Sequence, residues 1–272
     1  MTGPSTRAGV AMPLRPRSAA VLLVATVAGL AMFLWPLLVR VQPGTERVDP
    51  PFVFLALLPV VTAVVLAELT EGGMDAKVLA MLGVLTAINS VLRGLSAGTG
   101  GLELVFFLLV LAGRVFGAGF GFAFGCTTLF ASALVTAGVG PWLPFQMLAA
   151  AWVGMGAGLL PRGVRGRGEI AMLVVYGILA AYVYGLLMNL SGWPFALGVD
   201  VPGHTGSLSF VPGDPVWDNL RRFGVYTLLT STGSWDTGRA ITNAVALTVL
   251  GPPVLVTLRR AWRRADVHRV TA

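Results

Sequence analysis

IAMLVVYGILAAYVYGLLMNL, residues Ile170 to Leu190, contains 21 residues and no charge. An α-helix rises about 1.5 Å per residue, so a run of this length matches the roughly 30 Å hydrocarbon core of a bilayer. Arg162, Arg165 and Arg167 precede it, and Trp193-Pro194 follows it. Basic residues at one edge and an aromatic at the other are the flanks of a membrane helix. The rest of the 272-residue chain has the same character: 56% is hydrophobic and 11% charged. A soluble domain carries about 25% charged residues, so this chain cannot coat a water-facing surface. A soluble enzyme, a disordered protein and a nucleic-acid-binding domain are excluded on that ground. The fold class expected is an all-α integral membrane protein, a polytopic helical bundle.

Reading outward from that run gives eight spans. They are Ala19 to Val39, Phe52 to Leu69, Ala76 to Leu92, a short Leu102 to Gly113, Phe120 to Val135, Phe145 to Leu160, Ile170 to Leu190 and Ala240 to Leu258. The first is too long for the apolar core of a signal peptide, and Trp35-Pro36 offers no small-residue cleavage site, so it reads as a retained helix. Gly-Val-Gly-Pro-Trp-Leu-Pro, residues 138–144, cannot continue a helix and reads as a turn. With a cytoplasmic N-terminus, 13 of the 19 basic residues fall inside and 6 outside, while five acids fall inside and seven outside. That is the positive-inside bias, carried mainly by the Arg162 loop and by Arg259, Arg260, Arg263, Arg264 and Arg269. Both termini are then cytoplasmic, in a multi-pass protein of the cell membrane. The layout is a tail over 1–17, two helices over 18–75, a core over 76–258 and a basic tail over 259–272. Within the core, 191–239 forms an outer segment too rich in aromatics for a disordered linker. It reads as a cap, with a short surface helix over Val216 to Leu229.

The familiar catalytic patterns are missing. The single lysine, Lys77, follows Ala76, so there is no P-loop. His204 and His268 lie in a loop and in the tail, outside every span. Gly94-Leu95-Ser96-Ala97-Gly98 matches G-x-S-x-G by letter, but it follows a helix and not a strand. Cys126 is a lone cysteine, which excludes an intramolecular disulfide and a cysteine-based metal site. No metal, cofactor or catalytic residue is expected. The chain reads as a membrane subunit that binds a substrate and draws its energy from partners.

Residues Gly117 to Leu160 read GAGFGFAFGCTTLFASALVTAGVGPWLPFQMLAAAWVGMGAGLL. This stretch resembles the substrate-specific (S) components of energy-coupling factor (ECF) transporters. The resemblance rests on a Gly-rich helix, a turn of the form GxGPWxPxQM and a following helix with Trp and spaced glycines. Here those are Gly138, Gly140, Pro141, Trp142, Pro144, Gln146, Met147, Trp152, Gly154 and Gly158. It implies a six-helix core at 76–258, with the two helices of 18–75 as an addition. It implies a subunit that captures a vitamin-like micronutrient outside, docks on a transmembrane coupling subunit with two ATPases, and topples in the bilayer to release its load. The GPWxPxQM form is most similar to S components for cobalamin or its precursors; thiamine precursors and other vitamins stay open. The family docks through an AxxxA face on the first core helix. Ala76 and Ala80 form such a pair here, and Gly83 and Ala87 form a second.

The binding site is expected at the outer helix ends, under the 93–101 loop and the cap. Its candidates are Asn89, Arg93, Glu103, Trp142, Gln146, Asn189, Trp193 and Trp217. Amide side chains donate and accept at once, which suits a dry polar pocket. The tryptophans suit stacking on a flat or macrocyclic ligand. Plain structural roles compete: Trp142 as an interface anchor, Gln146 as a helix cap, and Arg93 paired with Glu103. The alternative function is a polytopic membrane enzyme of lipid or isoprenoid metabolism, or a membrane scaffold. It draws on Asp214, Asp218 and Asp236 on one side and Glu68, Glu71 and Asp75 on the other.

Overall fold

A computed structural model of the chain describes residues 16–38, 76–96, 100–195, 201 and 205–266. The second expected span, with Glu68, Glu71, Asp75, His204 and His268, lies outside the described residues. Every regular element among those described is helical. The helices are α1 (Pro16–Leu38), α2 (Ala76–Ser96), α3 (Val105–Phe116), α4 (Ala118–Val135), α5 (Leu143–Leu159) and α6 (Arg167–Gly192). After a short 3₁₀ turn (Trp193–Phe195) come α7 (Val216–Thr227), a π segment (Leu228–Asp236), α8 (Thr237–Val249) and α9 (Gly251–Asp266). Among the described residues, four helices are long and apolar enough to cross a membrane, and a fifth is added if the bent 216–264 pair counts as one span. The chain is a multi-pass helical membrane protein.

The short helix α3 sits at the centre. Its 12 residues rise only about 18 Å, and all of them are buried. Protein therefore surrounds it on every side. α4 and α5 form the tightest pair, because glycine removes the side chains that would hold them apart. A Cβ on Gly121 would overlap the Gly154 carbonyl, and one on Gly154 would overlap that of Gly121. Gly125 meets the Ala150-Ala151 backbone and Gly158 meets Ala118 in the same way. Lipid tails are as apolar as leucine, so this closeness, and not exclusion from water, draws membrane helices together.

One end of the bundle is closed by a buried ion network. Arg114, near the end of α3, donates to Glu169 of α6 at 2.7 Å. It also donates to the carbonyls of Leu160, Pro161 and Val164, at 3.0–3.1 Å, and so pins the α5–α6 loop. Arg259 of α9 reaches the same Glu169 oxygen at 2.6 Å. Arg114 uses all three of its guanidinium nitrogens, and both arginines converge on Glu169 Oε1, the kind of pairing a buried charge requires.

The structure corrects two expectations. Ala240 to Leu258 is not one straight span: the helix stops at Val249, and α9 leaves it at 66°. Pro252 and Pro253 supply the reason, since proline lacks the N–H and clashes with the carbonyl four residues back, yet suits a helix start. Nor is Val216 to Leu229 a separate surface helix. It runs without a break through the π segment into α8, as one helix from Val216 to Val249. Within that outer segment, residues 205–215 are loop, and Val216 to Asp236 continue into α8.

Candidate substrate site

The end of the bundle opposite Arg114 gathers polar side chains in two groups. The first is a ladder between α2 and α4. Thr86 bonds Thr127 at 2.9 Å, Asn89 Nδ2 donates to Thr128 Oγ1 at 3.4 Å, and Ser90 Oγ donates to the Thr128 carbonyl at 3.3 Å. One turn further on, Arg93 donates to Ser132 Oγ and, at 3.2 Å, to Gln146 Oε1 on α5. The spacing 86, 89–90, 93 keeps these groups on one face of α2, three or four residues apart. Asn89 is fully buried, and its Oδ1 finds no hydrogen-bond partner among the described residues.

The second group is charged. Arg239, at the start of α8, donates to Glu103 at 2.8 Å and to Asp236 at 2.8 Å. Ser231 donates to the other Asp236 oxygen at 2.8 Å. The Arg239 guanidinium lies over the rings of Phe106, 5.5 Å from its centroid, and Tyr184, 5.0 Å from its centroid. Those rings meet edge to face at 4.7 Å. Gly185 makes room for the Asp236 carboxylate, which a Cβ there would strike. Gly101, at φ +84°, lets the 100–101 loop press on the Trp235 carbonyl. The π segment holds this arrangement: its wider turn carries Ser231 and Asp236 together, and single π turns recur at functional sites. Glu103 just precedes α3 and Ser132 lies in the last turn of α4, so both groups sit at the same end of the bundle.

Of the expected residues, the structure brings Asn89, Arg93 and Gln146 into the first group and Glu103 into the second. Arg93 is bonded to Ser132 and Gln146, and Glu103 to Arg239. The side chain of Gln146 meets Arg93, and no side chain caps the start of α5. Trp193 is elsewhere engaged: it is buried, its indole N–H donates to the Leu208 carbonyl at 2.8 Å, and its ring packs on Phe210 and Phe223. It is the small core of the outer segment. Trp142 is half exposed and bonds the Gly138 carbonyl of its own turn at 3.3 Å. Trp217 points outward, 73% exposed. Asn189 lies one turn before Trp193, with a buried Nδ2 that has no partner among the described residues. Thr86, Ser90, Thr127, Thr128, Ser132, Tyr184, Ser231 and Arg239 are members that sequence reading missed, and Asp236 entered it only as an acid of the alternative enzyme reading. Arg239 and Glu103 stand 136 positions apart, and no local pattern joins them.

Residues 77–209 match the family model of the ECF transporter, substrate-specific component. That segment, just under half of the chain, is similar to the S-component family. The family consists of membrane substrate-binding subunits of ECF importers, which work with a coupling module and ATPases, and its members are not enzymes. The match runs from the first turn of α2 past the end of α6. It contains the whole α2–α4 ladder, Gln146, Glu103 and Tyr184, whereas Ser231, Asp236 and Arg239 lie beyond it. No curated protein and no solved structure matches the chain.

Proposed function

We propose that this subunit captures a vitamin-like micronutrient at the Arg93–Glu103 end of the bundle and releases it on the other side by toppling with its coupling module. The observation that carries the reading is the convergence of Asn89, Arg93, Gln146, Glu103, Asp236 and Arg239 at one end of an otherwise apolar bundle. Intramembrane polar groups are expensive, and they mark substrate paths. Among the described residues the Oδ1 of Asn89 and the Nδ2 of Asn189 have no partner, and they add one acceptor and one donor that a ligand can satisfy. A ligand rich in amides and carboxyl groups suits this mixture. Cobalamin or a precursor is the favoured substrate, on the strength of the GPWxPxQM turn, and Trp142 and Trp217 remain available for stacking.

Docking on the coupling subunit is assigned to the outer face of α2. Ala76, Ala80, Gly83 and Ala87 are all exposed there, and nothing lies within 4 Å of a Cβ placed on Gly83. A partner helix can therefore approach the backbone closely. With this assignment the Arg-rich end and both termini face the cytoplasm, by the positive-inside rule.

Native mass spectrometry of the gently purified chain tests the substrate assignment. One retained corrinoid per chain is the expected result. A different vitamin replaces the substrate and keeps the class. Absence of a retained molecule, together with no response to a vitamin panel, contradicts the proposal.

A further inference from the structure

At the Arg114 end, α9 leaves the preceding helix at 66°. Leu255, Leu258 and Trp262 fall on one side of α9 and are buried against the bundle. The Trp262 ring meets Phe116, at the end of α3, at 5.9 Å. The other side carries Arg260, Arg263 and Arg264, all exposed. The Arg259–Glu169–Arg114 network ties α9 to the start of α6 and to the α5–α6 loop, which bring the exposed Arg165 and Arg167 to the same end. Glu169 is the one acid at this end whose side chain is described, and it is buried and already shared by two arginines. The surface that remains is strongly positive, lies beside a lipid-facing bundle, and is built on a helix with one apolar and one basic face.

We propose that α9 with the α5–α6 loop is a docking surface for anionic phospholipid headgroups, with α9 lying in the interface plane. The occupant follows from charge and place. The apolar face of α9 is held by the bundle, which leaves its arginines free to face phosphate at the headgroup level. Clustered basic residues just beyond a membrane helix favour anionic over zwitterionic lipid. Arginine's planar fork pairs with phosphate oxygens two at a time. The buried Glu169 sets the angle of the helix and takes no part in the exposed surface. The inference needs neither the substrate site nor the coupling module.

The test is native mass spectrometry of the full chain in mild detergent, titrated with phosphatidylglycerol or with phosphatidylcholine of the same chains. Each basic residue at a lipid surface is worth about fivefold in binding. Phosphatidylglycerol should therefore be retained at least about tenfold better. That preference should fall at least about fivefold in R260Q/R263Q/R264Q, whose altered side chains lie outside the packed face, and should weaken as salt is raised. An unchanged melting temperature establishes that the variant is folded; R165Q/R167Q, on the loop, serves as an independent second variant. Equal retention of the two lipids by the parent chain overturns the proposal. So does an undiminished preference in both variants. Loss of co-purifying ATPase subunits with an intact lipid preference would assign the surface to the coupling module instead.

Discussion

Replacing Arg239 with glutamine removes the one cation between two carboxylates. Asp236 has a side chain only 1% exposed, and Glu103 is 27% exposed, each held at 2.8 Å by Arg239. The Ser231 hydroxyl is too weak a donor to hold the Asp236 charge alone. Removing one partner of a buried pair costs about 3–5 kcal/mol, mainly by stranding the other charge. Glu103 reaches solvent and relaxes cheaply, so the lower part of that range applies. About 3 kcal/mol corresponds to roughly a hundredfold loss in the folding constant. The assay is reversible unfolding in mixed micelles, followed by tryptophan fluorescence. The double variant D236N/R239Q removes both buried charges and should recover half or more of the loss. E103Q alone should cost about 1 kcal/mol, as expected of a partly solvated pair. An R239Q chain within about 1 kcal/mol of the parent would refute the reasoning, as would a double variant worse than the sum of its singles.

Three further outcomes are expected. Arg93→Gln removes the charged donor shared by Ser132 and Gln146 and should lower ligand affinity at least tenfold in a binding titration while leaving the helical circular dichroism spectrum unchanged. Gly154→Val drives a side chain into the Gly121 backbone and should destabilise the chain by about 3 kcal/mol, whereas Gly83→Ala meets open space and should be neutral or slightly stabilising in the same melting assay. Ala80→Trp on the exposed face of α2 should abolish co-purification with ATPase subunits and leave ligand binding intact, a separation that a purely internal role for that face would not produce.

The helical membrane class was legible because it depends on composition and on run length, both local properties. The 138–144 turn was legible from its glycines and prolines, and the structure ends α4 before it and starts α5 at Leu143. The break before α9 carried an equally local signal in Gly251-Pro252-Pro253, but an apolar run on both sides masked it. The site divides along the same line. Asn89, Arg93 and Gln146 stood out as polar residues at the edges of apolar helices. Arg239 did not, and Asp236 stood out only as a loop acid of the alternative reading, because both sat in a segment read as cap; the continuous helix from Val216 to Val249 carries them to the bundle. Trp193 was read from its place in the outer segment, and its contacts lie within that segment. A tryptophan in an outer loop suggests a ligand platform, but its N–H bond to Leu208 and its two phenylalanine neighbours make it the loop's own core.

The most direct test of the central claim is affinity purification of the tagged full-length chain from its native membranes, with mass-spectrometric identification of what accompanies it. An ECF substrate-binding subunit should bring a transmembrane coupling protein and two ATPase subunits, and should lose them when Ala80→Trp is introduced. A chain that retains its ligand but never yields ATPase partners, under conditions that preserve other membrane complexes, would contradict the account.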